Sequence, residues 1–278
     1  MNKVYKLYPL HPVLKISSLC TAFSVEHGAD FSYEGESHDF YEAVFILQGE
    51  AGITAGDEVL CLRAGHMLIH PPMEFHRIWN SADTSLRFLI FSFGADSFPQ
   101  MRGHRVAAFT PKQGEDIEKQ IDILRNHFKT DGKRLVAPTS EISLVPIQQA
   151  VNRIEILLLS LMQNENLVEA DGTRSAKRYT DVVTMMQRYL DRRLSVDEIV
   201  AMTNMSRSAL QKMFYRYAGM GVIKFYTRLQ VMRAQDLLES GMSVKETAIA
   251  LGFDDQNYFS RLFRRFTGKP PSVFRTRK

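Results

Sequence analysis

Residues 195–219 read SVDEIVAMTNMSRSALQKMFYRYAG, and residues 243–268 read SVKETAIALGFDDQNYFSRLFRRFTG. Laid over each other they are two copies of one plan: the first parts are offset by 48 residues and the second parts by 49, so the later copy carries one extra residue in its middle. Each copy opens on a capping box. Ser195 with Glu198, and Ser243 with Glu246, place a hydroxyl and a carboxylate where they satisfy orphan N–H groups at a helix start. Each short helix is expected to stop at a residue that tolerates the left-handed conformation, Asn204 or Gly252. A second N-cap follows within a few residues, Ser206 or Asp255. The new helices put Leu210, Met213 and Phe214, or Phe259, Leu262 and Phe263, on an inward face and end at Gly219 or Gly268. Short helix, tight turn, longer helix is the helix-turn-helix plan.

The residues left on the outer faces carry the chemistry. They are Arg207, Ser208, Gln211, Lys212 and Tyr215 in the first copy, and Gln256, Asn257, Ser260, Arg261 and Arg264 in the second. Gln and Asn can bond adenine in bidentate fashion, and Arg or Lys guanine, in the major groove. Any one of them is equally at home on a solvated helix face, so the set carries the argument. Charge supports it: residues 177–278 hold 19 Lys and Arg against 9 Asp and Glu, a balance of +10, whereas residues 1–176 balance at −6 within a net +4. A basic module tethered to an acidic one fits a phosphate-rich partner, double-stranded DNA. Between the copies, Val222–Leu238 repeats apolar residues at helical spacing (Phe225, Leu229, Met232, Leu237). A helix of that length, about 25 Å, is a spacer on the scale of one DNA turn, roughly 34 Å.

Residues 178–278 resemble the DNA-binding domain of the arabinose-regulator (AraC/XylS) family, most specifically in Ala248-x3-Gly252-Phe253-x-Asp255-x2-YFSRLFRRFTG-x-PPSVFR, which ends at Arg275. The resemblance implies that the second helix of each unit enters the groove. Ser208, Gln211 and Lys212 would then face bases in one groove, and Gln256, Asn257, Ser260 and Arg261 in the next. Val200 departs from the alanine common at its position. Members often activate transcription through RNA polymerase, and contact with it is a further implied partnership.

The first half reads differently. YEAVFIL (41–47), EVLCL (58–62), HMLIH (66–70) and LRFLIFSF (86–93) are rich in β-branched and aromatic residues and are punctuated by Gly49, Gly52, Gly56 and Gly65, which predicts a small barrel or sandwich. From Pro111 to Lys129 the period becomes helical, through Ile117, Ile121, Leu124 and Phe128, and a second helix is expected over 140–163. Its apolar face is too wide to stay in water, so it packs on the barrel, on its neighbour or on a second subunit. Gly65-x5-Pro71-x4-His76-x3-Asn80 and His38-x3-Glu42-x6-Gly49 have the spacing of the two cupin motifs, so this segment resembles the cupin barrel that the family uses to sense effectors. Metal-binding cupins supply an HxH pair, a glutamate and a later histidine, and here Glu36 replaces the first histidine. His38, Glu42 and His76 still offer a divalent-ion set. The incomplete set favours instead a polar pocket for an organic effector, with Tyr41 and Trp79 as further lining candidates and with no metal or cofactor, and the resemblance implies a sugar or related metabolite as that effector. Tyr5–Pro12 is, by the same resemblance, an arm over the pocket.

Cys20 and Cys61 lie in apolar surroundings without a CxxC, as free thiols in a reducing cytoplasm would. The longest apolar run, Ile156–Met162, is too short for a bilayer, and Pro9, His11, Pro12 and Lys15 interrupt any leader, so no membrane association is expected. The expected architecture is α+β in two domains: a cupin-like β-barrel over 1–110, a helical dimerisation segment over 111–164 packed on it, a linker over 165–177, and an all-α double helix-turn-helix domain over 178–278. The function this implies is an effector-responsive activator acting as a homodimer. The competing classes are a cupin-type metal-dependent enzyme with a helical appendage, and a DNA-binding protein whose barrel only dimerises.

Overall fold

Strands that are covered on both faces lose the alternation of polar and apolar residues, and this explains the unbroken runs in the first half of the chain. The computed structural model describes residues 8–99, 106–163, 166–168 and 174–275. Its N-terminal part begins with β1 (Lys15–His27), β2 (Tyr41–Gln48), β3 (Glu50–Ala55), β4 (Glu58–Arg63), β5 (His66–His70), β6 (His76–Asn80), β7 (Leu86–Ser97) and β8 (Val106–Ala108). There follow α1 (Pro111–His127), β9 (Phe128–Asp131), β10 (Arg134–Pro138), α2 (Leu144–Leu161) and β11 (Leu167–Val168). The larger sheet has the order β11-β8-β5-β2-β7-β1-β10-β9, and β4-β3-β6 form the smaller one.

Residue parity along β2 divides its side chains between two layers. Val44 and Ile46 point between the sheets, where they meet Ile53, Leu62, Phe88 and Ile90. Ala43 and Phe45 point the other way, with Phe91 and Phe93, under Ile117 and Leu124 of α1 and Ile154 and Leu158 of α2. α1 starts on a capping box of Thr110 with Gln113 and has Pro111 in its first turn. It stops at His127, two residues before the expected end, because Phe128–Pro138 forms a hairpin. Gly132, at φ +58°, and Lys133 are the two residues of its turn.

With the short 3-10 turn at Glu141–Ser143, α2 becomes a 21-residue helix of mean hydropathy 1.2, long and apolar enough by those measures to cross a membrane. Its placement is that of a packed helix with one open side. Ala150, Val151, Ile154, Leu158 and Leu161 are buried, and Glu155 accepts a 2.6 Å hydrogen bond from the Ile16 N–H of β1. Ile142, Leu144, Val145 and Ile156 remain exposed.

The C-terminal part is helical: α3 (Arg174–Gln187), α4 (Val196–Thr203), α5 (Arg207–Ala218), α6 (Val222–Glu239), α7 (Val244–Ala250) and α8 (Gln256–Thr267). α3 begins within the segment read as a linker, of which residues 165 and 169–173 lie outside the described residues. Both capping boxes form as the sequence requires. Asn204 is left-handed at φ 51°, as is Gly252 at φ 70°. α6 joins two cores, packing Phe225 and Leu229 with the first unit and Val231, Ala234 and Leu238 with the second. Its buried Gln230 donates to the carbonyls of Arg192 (3.0 Å) and Leu251 (2.9 Å), tying the loop after α3 to the second unit.

The two parts share a core. Phe75, from the turn between β5 and β6, and Val59 of β4 are buried with Tyr179, Tyr217, Val222 and Phe225. The Phe75 and Phe225 rings meet edge to face with centroids 6.3 Å apart, and the Arg228 guanidinium lies 4.6 Å over Phe75.

Candidate functional site

Buried residues at helical spacing fix which way α5 and α8 face. Leu210, Met213 and Phe214 hold one side of α5 in the core, and Phe259, Leu262 and Phe263 do so for α8. The opposite sides therefore carry what the sequence assigns to them. Arg207, Ser208, Lys212 and Tyr215 are exposed and Gln211 is half-buried. On α8, Gln256, Asn257, Arg261 and Arg264 are exposed and Ser260 is half-buried. Asp255 caps α8 by accepting from the Asn257 N–H at 2.7 Å, which leaves the amide of Asn257 at the leading end of the helix. Arg207 pairs with Asp197 of α4. Among the described residues neither Arg261 nor Arg264 has an ion-pair partner, so both guanidinium groups are available for phosphate or base. Arg174, Arg178, Lys212 and Arg216 line a basic groove beside α5.

A second candidate site is a cavity of about 500 Å³ between the two sheets, within the range of small-molecule pockets. Its walls include the apolar Phe23, Ile53, Phe88 and Ile90, and Glu36, His38, Glu42 and His76 cluster at one place in it. There Glu42, a residue 8% exposed, accepts a 3.0 Å hydrogen bond on its carboxylate from Ser92 Oγ. His38 Nε2 lies 3.5 Å from Glu42 Oε2, and His76 Nε2 lies 3.5 Å from Glu42 Oε1. Each imidazole is held from behind by a backbone carbonyl, Phe40 O at 3.0 Å from His38 Nδ1 and Glu74 O at 3.1 Å from His76 Nδ1. His70 stacks on His76 with ring centroids 4.4 Å apart and bonds the Glu74 carboxylate through Nδ1 at 2.8 Å. Burial, with His70 alongside, pushes the His76 pKa down to about 3, so that ring is neutral. Burial works against a charge on His38 too, but Glu42 and Glu36 outweigh it and raise its pKa. Burial would raise the pKa of Glu42, and the three histidines around it reverse that.

Of the five residues read as lining this pocket, His38, Glu42 and His76 converge, while Tyr41 and Trp79 do not. Strand parity is the reason. Tyr41 precedes Glu42 on β2 and so points to the opposite face, where it stacks on Phe93 and Phe98. Trp79, three residues along β6 from His76, also points out of the barrel. It crosses Gly52, where a Cβ would lie 2.1 Å from the ring, and faces Tyr217 of α5 with centroids 6.0 Å apart. Tyr8–Pro12 of the expected arm is exposed and lines no part of this cavity, and Tyr5–Leu7 of that segment (residues 5–7) lies outside the described residues.

His70 and Arg77 are among the cavity residues that the sequence did not single out. His70 had a readable signal, since it closes the strand HMLIH directly before Pro71 of the second motif. Arg77 had none, because its role depends on the other domain. Its guanidinium lines the cavity and also a cleft against Tyr217 and Arg216. It donates to Tyr33 O and Ser32 Oγ at 2.8 Å each within the barrel, and to Tyr215 O (2.9 Å) and Arg216 O in the last turn of α5. Those carbonyls lack helical partners and hold the negative end of the helix dipole. Thr54 Oγ1 of β3 donates to Tyr217 O beside them.

Residues 22–121 match the model of an AraC-like ligand binding domain, and residues 199–277 match that of a helix-turn-helix domain. The Msm operon regulatory protein of Streptococcus mutans is 23% identical over 88% of this chain and 87% of its own length. The arabinose operon regulatory protein of Salmonella typhimurium is 26% identical over 82% of this chain and 81% of its own. Among solved structures, an AraC-type transcriptional regulator from Chromobacterium violaceum is 29% identical, covering 36% of this chain and 91% of that one, with a TM-score of 0.35.

Proposed function

From the premise that this chain belongs to the AraC family of transcriptional regulators, we propose that it binds promoter DNA through α5 and α8 and activates transcription when a small molecule enters the barrel cavity. The observation that carries the first half is the pair of capped helices whose outward faces bear Gln211, Lys212, Gln256, Asn257, Arg261 and Arg264. α6, an 18-residue helix and so about 27 Å long, is the rigid member between them. The groove of Arg174, Arg178, Lys212 and Arg216 supplies phosphate contacts, which position the protein without reading sequence.

The second half rests on the cavity and on Arg77, which touches both the cavity and α5. A sugar or related metabolite is the effector class, in keeping with the name of the arabinose operon relative. The exposed side of α2 (Ile142, Leu144, Val145, Ile156) pairs two copies into a homodimer. RNA polymerase is the partner for activation, and the cytoplasm is the compartment.

The test is a titration of the untagged protein with its own upstream DNA and with scrambled DNA at several salt concentrations. Affinity is expected to fall steeply with salt and to favour the upstream sequence by at least a factor of about 10³. Equal affinity for both sequences at every salt concentration overturns the proposal.

A further inference from the structure

The polar cluster of the barrel cavity leaves two imidazole nitrogens without a hydrogen bond. A carbonyl only accepts, so Phe40 O and Glu74 O require a proton on Nδ1 of His38 and of His76. A neutral ring held this way turns the lone pair of Nε2 inward. Both Nε2 atoms are buried and make no hydrogen bond, and the His76 side chain is only 6% exposed. What they face is the Glu42 carboxylate, 3.5 Å from each, beyond the usual N–H···O range of about 2.7–3.2 Å. Two ring nitrogens without a hydrogen bond and a carboxylate therefore gather at one buried spot, a donor set suited to a cation.

The spacing fits a metal ion. Ligand atoms about 2.05 Å from a tetrahedral ion stand about 3.4 Å apart, which is close to both His–Glu separations. Glu36 is held beside His76 by two backbone hydrogen bonds of 3.0 Å. Its carboxylate joins the other three groups with all ligand atoms within 4.8 Å of one another. The backing of each imidazole by a carbonyl is also the outer-shell arrangement that fixes metal-ligating histidines.

We infer that His38, Glu42 and His76, with Glu36 at the mouth, bind one divalent first-row transition-metal ion, and that its open position takes the hydroxyl or carboxylate oxygens of the effector. Two imidazoles and a carboxylate are the donor set of Zn, Mn and Fe(II) sites that keep positions open for a further ligand. The Ser92 hydroxyl holds the carboxylate from the side, and Thr21 Oγ1 at 2.7 Å supports Ser92 in turn. Arg134 and Lys133 line the same cavity and favour an anionic or hydroxylated ligand over an apolar one. The metal site stands on this geometry alone, whereas the identity of the open position as an effector site rests on the proposed function above.

The experiment uses the full chain, purified without an affinity tag, stripped with a chelator and dialysed against Co(II), Zn(II) or Mn(II). Close to one ion per chain is expected, with visible Co(II) absorption bands. Glu42→Gln and His38→Gln, which keep side-chain size, should each weaken binding at least tenfold, and His76→Ala should abolish it. Circular dichroism confirms that each variant is folded. Wild-type protein that is folded but binds no ion at 100 µM metal, or Glu42→Gln and His38→Gln variants that bind as tightly as wild type, overturns the inference, leaving a protonated His38 as the cation between the acceptors. DNA titration of the same preparations keeps the two proposals apart. Sequence-specific DNA binding without metal uptake refutes the metal site alone. Metal uptake without sequence preference supports the site and refutes the regulator reading.

Discussion

Replacing Arg77 by Met removes the charge that joins the barrel to α5 while keeping most of the side-chain stem. Two of its hydrogen bonds, to Tyr33 O and Ser32 Oγ, lie within the barrel and persist whether or not the domains are docked. The bonds to Tyr215 O and Arg216 O exist only in the docked state. A hydrogen bond from a charged donor contributes about 1.5–3 kcal/mol. Arg77 is partly exposed, which reduces this to about 1 kcal/mol for each bond. The docked state should therefore lose about 2 kcal/mol, or roughly 30-fold in its equilibrium constant. Trp79, the chain's single tryptophan, lies in the same cleft against Tyr217 and reports the change. Its emission, followed through a urea titration beside circular dichroism, should show separation of the domains about 1 M or more earlier than in wild type, for a slope of about 1–2 kcal/mol per M. Thr54→Val, which removes the neighbouring bond to Tyr217 O without touching Arg77, should move the transition in the same direction. An Arg77→Met transition that coincides with wild type would refute the view that Arg77 links the cavity to the first helix-turn-helix unit.

Three further outcomes follow from the same geometry. Arg261→Ala, at an exposed position on α8, should cost about 1–3 kcal/mol of DNA affinity and relax preference at one base pair; equal loss across all sequences would mark a phosphate contact instead. Asn204→Ala places a Cβ residue without a compensating polar group at φ 51° and should lower the stability of the folded chain by about 1–2 kcal/mol, whereas Asn204→Gly should not, as thermal melts of the two will show. Ile156→Glu, on the open side of α2 where the native residue is 69% exposed, should convert a dimer to a folded monomer in sedimentation experiments, and an unchanged sedimentation coefficient for a dimeric wild type would rule out α2 as the contact.

The helix-turn-helix units were legible because the signals that build them are local. A cap and its N3 partner lie three residues apart, so Ser195–Glu198 and Ser243–Glu246 could be read from sequence alone, as could the left-handed stops at Asn204 and Gly252. The inward residues of α5 and α8 repeat at helical spacing, and the ten outward residues are what remains. The layered strands were legible for a related reason, since long apolar runs bounded by glycines fit strands covered on both faces. The hairpin at Phe128–Pro138 was not legible although Gly132 marks its turn, because helical periodicity runs through Phe128 and masks the change.

Convergence of side chains in space was decided by the tertiary structure. The spacing of the motifs brought His38, Glu42 and His76 into consideration, but residue type alone also nominated Tyr41 and Trp79. Pairing of β2 with β5 and β7, and of β3 with β6, fixes which residue of each strand faces the cavity, and both aromatics fall on the wrong parity. The same pairing presents Arg77 to carbonyls about 140 residues away in sequence. The sequence by itself determined two capped helices with polar outward faces, through interactions within a turn or two of chain. Only the fold decided that His38, Glu42 and His76 meet at one point and that one arginine spans both domains, because such contacts depend on packing between distant segments that no local period records.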